Sequence, residues 1–340
     1  MKFACATEHT WLFRPLGCKQ VCYVEARWAV AKQYPAIEAF EYGKSSEAPP
    51  SVSIQNQMID TPKGCFQVRR QGPSEAPLIL GLHGFPDTAA TFDALGAAFV
   101  QVDCQFAAPQ MRGYAPSILD MPRTRTLFDA LAADALAIAD ALAPGRPFAV
   151  VGHDNGAFAA YSLLRLAGPR ATAAVTLTAA HPAAVFKNSG KLPAQMWRSR
   201  YAILFQVPRL SEWWASRSDF AYLEVLWKRW AAPGWVLPSQ HLAEVRRVMR
   251  ASWPAPLLHY RAMPFSGDET KLAQPTLYLI GDRDGCVMVE AGAGQERFFT
   301  GEFRSDVVAG AGHFLPLEQP DVVVPKVVNW MTRHGRLAQT

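Results

Sequence analysis

The sequence has no run of five or six like charges and no apolar run of 18 residues among its 340 residues. Blocks of like charge are typical of nucleic-acid binding, and a helix that spans a membrane needs about 18 consecutive apolar residues or more. The formal net charge of +5 is instead spread along the chain. These absences argue against nucleic-acid and membrane partners, and they favour a protein that binds a small molecule.

Cysteine is also sparse, and the six residues of this type have irregular spacings: Cys5, Cys18, Cys22, Cys65, Cys104 and Cys286. A chain of this length buries a sizeable core and does not need disulfides to fold. We therefore expect reduced thiols and a cytoplasmic location. Three of the cysteines lie near His9, but their spacing matches no zinc-binding pattern, so the sequence predicts no metal site.

Residues 1–50 differ in pattern from the rest of the chain and end in the polar, proline-containing stretch "GKSSEAPPS". The first residues make a poor signal peptide, because Glu8, His9 and Arg14 interrupt the apolar segment that such a peptide needs. We therefore expect an N-terminal extension, whose structure the pattern does not predict, joined by a linker to the remaining chain. The oligomeric state is left open, with a homodimer as one alternative.

From residue 51 onward, stretches of strand character alternate with stretches of helical spacing. "SVSIQNQMIDT" and "GCFQVRRQG" alternate in period two and predict a hairpin, whereas "PLILGLHGF" and "FAVVG" are apolar and predict buried strands. "TLFDALAADALAIADALAPG" has apolar residues at helical spacing and predicts a helix. Such alternation predicts an α/β fold, in which helices cover both faces of a mostly parallel sheet.

This alternation stops between residues 183 and 265. The interval has helical spacing and contains seven of the ten tryptophans. Strand and helix patterns resume afterwards, with "PTLYLIGDRDG", a helix through "VEAGAGQERFF" and a last helix "VVVPKVVNWMTRH". We therefore predict a core domain of residues 51–182 and 266–340, interrupted by a helical cap of residues 183–265.

Residues that could carry chemistry follow the predicted strands, and in a parallel sheet ligands bind beyond the carboxyl ends of the strands. Asp154 lies in "VGHDNGA", Asp284 in "GDRDG" and His313 in "GAGHF", while "HGFP" and "RGY" follow two earlier strands. The order acid, acid, histidine is that of nucleophile, orienting acid and base in the α/β-hydrolase arrangement. There the nucleophile lies on a strand-to-helix elbow between small residues, and this sequence has an aspartate where serine is usual.

From residue 51 to the end, the chain resembles the epoxide hydrolases of the α/β-hydrolase fold. The motifs "HGFPD", "RGYAPS", "GHDNGA", "GDRDG" and "GAGHF" carry the resemblance, since they occur in the family's order around a helical cap. The resemblance implies an epoxide hydrolase that needs no cofactor. Its implied partners are an apolar epoxide substrate and water.

The chemistry of an epoxide explains why the elbow holds an acid. A serine suits a carbonyl, whereas a carboxylate is ionised at neutral pH and can displace a leaving group on an sp3 carbon directly. The resulting ester on Asp154 must then be hydrolysed. His313, oriented by Asp284, is predicted to activate the water, and the backbone N–H groups of Phe85 and Asn155 are predicted to stabilise the oxyanion.

Epoxide opening also needs a proton donor for the ring oxygen, because an alkoxide is a poor leaving group. The family uses two tyrosines of the cap for this purpose. The resemblance assigns them to Tyr201 in "RSRYAILFQVP" and to Tyr260 in "LLHYRAM", with Tyr222 as the spare candidate. Asp282 competes with Asp284 as the orienting acid, although the family's spacing favours Asp284.

Four further residues are candidates for contact with the substrate: His83, Pro86, His153 and Trp197. His83 also fits a structural role, in which it stabilises the turn of the oxyanion loop. His153 and His181 are either structural or part of the pocket wall. The cap tryptophans either line an apolar cavity or pack the cap helices.

Two other functions stay open at this point. A dehalogenase would use the same aspartate, but haloalkane dehalogenases have tryptophan directly after the nucleophile and fluoroacetate dehalogenases usually arginine, where this sequence has Asn155. A non-catalytic ligand-binding protein on the same scaffold would have lost the nucleophile, the acid or the base, and all three are present. No G-x-S-x-G occurs, which argues against a serine esterase.

Overall fold

The computed structural model of the protein describes residues 53–122, 126–263 and 268–335. These residues belong to the larger of two units that internal contacts define in the chain, Tyr42–Thr340. The N-terminal extension predicted for residues 1–50, with its three cysteines, lies outside the described residues.

Eight strands cross the described part of the chain: β1 (Gln55–Thr61), β2 (Gly64–Gln71), β3 (Leu78–Leu82), β4 (Gln105–Pro109), β5 (Phe148–His153), β6 (Ala171–Leu177), β7 (Thr276–Gly281) and β8 (Phe303–Val308). They form one sheet in the order β1-β2-β4-β3-β5-β6-β7-β8. β1 and β2 form the predicted antiparallel hairpin, and β2 is antiparallel to β4. From β4 onward in this order, each strand is parallel to the next, as the α/β pattern predicted.

Eleven α-helices accompany the strands in the described residues: α1 (Asp93–Val100), α2 (Leu127–Leu142), α3 (Asn155–Ala167), α4 (Pro182–Ser189), α5 (Pro193–Arg198), α6 (Arg200–Leu204), α7 (Leu210–Trp230), α8 (Ser239–Ser252), α9 (Ala255–Ala262), α10 (Leu315–Glu318) and α11 (Pro320–His334). α2 and α11 confirm two predicted helices. The helix predicted through "VEAGAGQERFF" is wrong, because the segment forms two short 3-10 helices, Val289–Gly292 and Gln295–Phe298. Between them Gly294 has a φ of 73°, and this left-handed conformation interrupts a right-handed helix.

The two faces of the sheet carry separate apolar cores. Successive residues of a strand point to opposite faces, so Leu80 of β3 packs in one core and Ile79 in the other. α2 and α3 contribute to the first core, for example through Leu163, and α1 and α11 contribute to the second, for example through Val327. Because both faces are covered, the central strands are buried along their whole length, which explains their continuous apolar sequence.

Helices α4 to α9 all lie between β6 and β7, in residues 182–262. Trp227 and Trp230 of α7 and Leu257 of α9 are buried in the same core as α2 and α3. α7 is not one regular helix, because the backbone of Arg217–Phe220 has non-helical angles. None of the helices in the described ranges is long and apolar enough to cross a membrane.

Candidate active site

Asp154 occupies the sharp turn between β5 and α3. Its backbone angles are φ 53° and ψ −119°, a positive-φ conformation that strains a non-glycine residue. Neighbouring glycines make the turn possible. A Cβ at Gly152 would collide with the backbone of Gly156, and a Cβ at Gly156 would collide with the carbonyl oxygen of Leu82 in β3. The chain thus builds a strand-to-helix elbow with the Asp154 carboxylate at the carboxyl end of β5.

One oxygen of the Asp154 carboxylate is held by the loop after β3. Oδ1 accepts a hydrogen bond from the backbone N–H of Phe85 at 2.9 Å. Gly84 allows this approach, since a Cβ on it would collide with the Asp154 side chain. Asn155, whose N–H is the second predicted donor, opens α3 directly after Asp154, and its role stays a prediction. Oδ1 is therefore polarised by a backbone donor, and this donor does not occupy Oδ2.

The loop after β8 brings His313 to Asp154 and Asp284. Nδ1 of His313 donates a hydrogen bond to Asp284 Oδ2 at 2.9 Å, and Nε2 faces Asp154 Oδ2 at 3.6 Å. Asp284 follows β7, and its Oδ1 accepts hydrogen bonds from the backbone N–H groups of Cys286 and Val287 at 2.7 and 2.8 Å. The acid is thus fixed by backbone donors and in turn fixes the imidazole.

The structure places Asp284, and not Asp282, against His313. Asp282 accepts a hydrogen bond from the N–H of Gly310 at 2.7 Å instead. β7 and β8 are parallel neighbours, with Gly281 paired to Val308, so the loops after them lie side by side. The register of these two strands decides which of the two acids meets the imidazole.

The three groups of the site shift one another's pKa. Burial by itself would lower the pKa of His313, but the carboxylates of Asp284 and Asp154 outweigh it and raise this pKa to about 10. Burial would raise the pKa of Asp154, yet the adjacent His313 holds it below its usual value. At neutral pH the site therefore holds a protonated His313 beside an ionised Asp154, and the ionised form is the one in which a carboxylate can act as a nucleophile.

Tyr201 of α6 and Tyr260 of α9 lie beside this carboxylate. Their ring centroids are 5.4 Å apart, and Tyr260 packs edge-on against Phe85 at 5.2 Å. The Tyr201 hydroxyl is 3.5 Å from Cys286 Sγ, and the Tyr260 hydroxyl is buried. Burial raises the pKa of both phenols well above its usual value, and the charge of Asp154 adds to the rise. Both hydroxyls therefore keep their protons and can donate.

Two residues that the sequence analysis did not single out hold the site together. Trp230 of α7 packs against His313 and Tyr201, with ring centroids 5.3 and 4.8 Å apart, and its carbonyl oxygen accepts the His313 N–H at 3.0 Å. Glu318 accepts hydrogen bonds from the backbone N–H groups on either side of His313. Neither residue lies in a recognisable motif. Trp230 in particular is one of seven tryptophans in residues 183–265, and nothing in the sequence distinguishes it from the other six.

A second buried acid–histidine pair joins the inserted helices to the loop after β3. Nε2 of His241 in α8 lies 2.7 Å from Oδ1 of Asp87, and the Asp87 side chain is fully buried. Burial opposes the charge of both groups, but the attraction between them outweighs burial. Asp87 raises the pKa of His241, and His241 lowers the pKa of Asp87, so both groups favour their charged forms. Of this pair, only Asp87 lies in a recognisable motif, "HGFPD". No motif surrounds His241, so the sequence did not indicate that the two residues meet.

The histidines among the predicted pocket residues have structural hydrogen bonds. His83 Nε2 accepts the N–H of Met111, and its Nδ1 donates to the carbonyl oxygen of Gly84, both at 3.0 Å. His153 Nε2 donates to the carbonyl oxygen of His313 at 2.9 Å. His83 thus stabilises the turn after β3, and His153 supports the loop that carries His313.

The other predicted pocket residues differ in where they lie. Pro86 adjoins the site, and its carbonyl oxygen accepts an indole N–H of α7 at 3.3 Å. Trp197 is not brought into the site: its side chain is 67% exposed on α5, where the guanidinium of Arg200 covers its ring. Tyr222, the spare tyrosine, is half-buried and packs on a neighbouring tryptophan of α7.

Other polar residues at the strand ends have partners of their own. Arg112 of the "RGY" loop forms an ion pair with Asp134 at 2.7 Å. Nδ1 of His181 accepts the N–H of Ala183 at 3.3 Å and caps α4. In residues 53–122, 126–263 and 268–335, no three His, Cys, Asp or Glu side chains are grouped as metal ligands.

A sequence model of the alpha/beta hydrolase family matches residues 79–326, which is most of the chain. The chain belongs to the alpha/beta hydrolase family. This hydrolase is 30% identical to Epoxide hydrolase 3 of Mus musculus over 260 residues, which cover 73% of this chain and 69% of the relative. It is 27% identical to Epoxide hydrolase 4 of the same species over 267 residues, which cover 76% of this chain and 74% of the relative.

Solved structures share the fold of this hydrolase. One, described as "Novel epoxide hydrolases belonging to the alpha/beta hydrolases superfamily in metagenomes from hot environments", has a TM-score of 0.72 and 25% identity. The match covers 83% of this chain and 100% of that one. The α/β-hydrolase fold and the family resemblance predicted from the motifs are thereby confirmed.

Proposed function

We propose that this hydrolase converts an apolar epoxide to a vicinal diol through a covalent ester on Asp154. One observation carries the proposal: the ionised Asp154 faces the His313–Asp284 pair, and the buried phenols of Tyr201 and Tyr260 adjoin it. The relatives named epoxide hydrolases support the assignment. In this proposal the substrate and water are the reactants, and no cofactor takes part.

In the first step, Asp154 Oδ2 attacks the less hindered ring carbon, and the bond between that carbon and the ring oxygen breaks. The electron pair of this bond stays on the ring oxygen, which takes a proton from Tyr201 or Tyr260. Burial keeps both phenols protonated, so they are suited to donate. Oδ1 keeps its hydrogen bond from Phe85 and becomes the carbonyl oxygen of the ester.

In the second step, water attacks Cγ of the ester while Nε2 of His313 accepts a proton from it. His313 must be neutral to accept this proton. It first gives the proton that it holds before the reaction to the phenolate of Tyr201 or Tyr260, which formed when that tyrosine protonated the ring oxygen. The oxyanion forms on Oδ1, where the N–H groups of Phe85 and Asn155 stabilise it. The tetrahedral intermediate then breaks its bond between Cγ and the alcohol oxygen, and this oxygen takes the second proton of the water. The Asp154 carboxylate and the protonated His313 are thereby restored.

The test is a single turnover of styrene oxide in water enriched in oxygen-18, with the enzyme in excess. We expect the label in the peptide that contains Asp154 and an unlabelled diol, because water attacks Cγ of the ester and not the substrate carbon. We also expect Asp154→Asn to lose turnover, while Asp60→Asn on the exposed strand β1 keeps it. Label in the diol of the first turnover would contradict the ester mechanism.

A panel of epoxides, haloalkanes and haloacids separates this proposal from the dehalogenase, which uses the same attack with a halide as leaving group. We expect diol formation from epoxides and no halide release. Halide release without turnover of any epoxide would establish the dehalogenase. Binding of epoxides without turnover would establish the non-catalytic protein.

Within the proposal, residues 183–265 act as a cap on a core formed by residues 51–182 and 266–340. The contacts of Trp230 with His313 and of Tyr260 with Phe85 support this division, since each joins an inserted helix to a loop of the core. The cytoplasmic location and the homodimer stay predictions from the sequence.

A further inference from the structure

The inserted helices carry a concentration of exposed apolar side chains. Six large apolar residues within 18 positions of one another are each more than 40% exposed: Met196, Trp197, Ile203, Val207, Leu210 and Trp213. We call them the 196–213 surface. Single exposed apolar residues are normal on a soluble protein, whereas six of them within 18 positions make this segment a candidate interaction site.

The same helices carry an excess of positive charge. Residues 182–262 contain twelve Lys and Arg but only four Asp and Glu, a formal charge of +8 in a chain whose total is +5. Each of the four acids forms an ion pair with an arginine of the same helices. In the described ranges no ion pair joins the other eight cations to a carboxylate, and five of these eight lie between residues 191 and 217.

Cations and apolar rings are interleaved on the 196–213 surface. The guanidinium of Arg200 lies 4.2 Å from the ring centroid of Trp197, and that of Arg217 lies 4.5 Å from the ring centroid of Trp213. The one acid among residues 191–217, Glu212, is paired with Arg261. Tryptophan beside arginine is the combination that suits the boundary of a lipid bilayer, where the ring enters the headgroup region and the cation meets lipid phosphate.

We propose that the 196–213 surface binds peripherally to an anionic lipid membrane. A second copy of the chain is a poor occupant, because it would bring the five cations of residues 191–217 that have no ion pair in the described ranges against the same five cations of the other copy. Peripheral binding needs exposed apolar side chains and cations, and it does not need the long apolar run whose absence argued against a membrane partner. α6 carries Tyr201 on its buried side and Ile203, 69% exposed, on this surface, so a bound membrane would lie one helix away from the candidate site.

The test measures sedimentation of the full-length protein with lipid vesicles. We expect binding to vesicles of phosphatidylcholine with phosphatidylglycerol, and at least about tenfold weaker binding to pure phosphatidylcholine. The joint variant Ile203→Ser, Leu210→Ser, Trp213→Ser removes apolar side chains that are 51% to 69% exposed, and we expect it to bind anionic vesicles at least about tenfold more weakly. Added salt should weaken the binding of the native protein.

The matched control replaces three exposed apolar residues outside the inserted helices, Leu166→Ser, Val307→Ser and Val322→Ser, and it should bind as the native protein does. Circular dichroism checks that both variants fold. A native protein that stays in solution with anionic vesicles would overturn the proposal, as would a surface variant that binds as well as the control. Light scattering provides one more outcome: a native dimer that the surface variant converts to a monomer would assign the surface to a second copy and refute the lipid proposal.

Discussion

At the scale of single residues, the surroundings of Asp154 suit a carboxylate that serves in both steps of the proposed mechanism. Oδ1 is held by the N–H of Phe85, and Oδ2 faces Nε2 of His313 at 3.6 Å. While Asp154 is charged, the pKa of His313 is raised to about 10, so the imidazole holds its proton at neutral pH. An ester on Asp154 removes one of the two charges responsible. In the proposed mechanism, His313 therefore becomes available as a base only after Asp154 has reacted.

The variant Asp154→Asn reproduces the neutral side chain of the ester and tests this coupling. We expect the pKa of His313 to fall by at least about one unit from its native value, because one of the two carboxylates that stabilise the imidazolium is lost. An NMR titration of the His313 imidazole in both proteins measures the change.

Asp60→Asn, which removes an exposed carboxylate on β1, is the control for this titration and should leave the His313 pKa as it is in the native protein. An unchanged pKa in Asp154→Asn would mean that Asp284 alone sets the protonation of His313. The proposed order of events would then be wrong.

At the scale of elements, close packing of the elbow against β3 requires glycine at position 156, although helix propensity favours alanine there. Gly156 lies in the first turn of α3, where alanine would be favoured by about 1 kcal/mol on helix propensity. A Cβ on it would, however, collide with the carbonyl oxygen of Leu82 in β3. A backbone atom of a strand paired on both sides cannot move away as the end of a side chain can.

We therefore expect Gly156→Ala to lower the free energy of unfolding by roughly 1–3 kcal/mol, because overpacking outweighs the gain in helix propensity. Gly190→Ala is the matched control, since a Cβ there meets no atom within 4 Å, and its effect should stay within about 0.5 kcal/mol. Urea denaturation followed by circular dichroism measures both changes. If Gly156→Ala were as stable as the native protein, α3 could not lie against β3 as described.

The predicted elements differ in how strongly local pattern determines them. β3 and β5 are almost entirely apolar and buried along their whole length, and the apolar residues of α2 keep helical spacing over 16 residues, so the local pattern predicts one structure for each of them. The stretch "VEAGAGQERFF" has a weaker helical spacing, and the left-handed conformation of Gly294 divides it into two 3-10 helices. A glycine is compatible with both conformations, and the surrounding packing selects one of them.

At the scale of the whole molecule, polar contacts tie the inserted helices to the loops that follow the strands. His241 of α8 bonds to Asp87, 154 positions away in the sequence. His259 of α9 donates from Nε2 to the carbonyl oxygen of Arg112, 147 positions away, at 2.7 Å. These contacts fix α8 and α9 relative to the loops of the core, and α9 carries Tyr260, one of the two candidate tyrosines.

The His241–Asp87 pair should make this attachment dependent on pH. Burial disfavours the charge on His241, but Asp87 outweighs it and raises the pKa of His241 above 6.5. A raised pKa stabilises the fold fully below about pH 6.5, and the stabilisation is lost as the pH rises through the pKa of the folded state. We expect His241→Ala to lower the free energy of unfolding by about 3 kcal/mol or more near pH 6, because it leaves the charge of Asp87 buried and unpaired.

The loss caused by His241→Ala should become smaller toward pH 9, and urea denaturation at several pH values measures it. His334→Ala is the control, since His334 faces Glu302 across 3.8 Å and the Glu302 side chain is 58% exposed. Its effect should stay below about 1 kcal/mol. A destabilisation by His241→Ala that is the same at every pH would exclude a charged His241 in the folded protein.

The sequence by itself determined the fold class, the elbow and the candidate reacting groups of this protein. These depend on short-range features: the period of apolar residues, the glycines around Asp154, and the order of acid, acid and histidine after successive strands. Only the tertiary structure decided that Asp284 and not Asp282 meets His313, that Trp230 and Glu318 hold the histidine loop, and that Trp197 lies at the surface. These are distances between groups far apart in the chain, and they follow from strand register and helix packing, which no local pattern encodes.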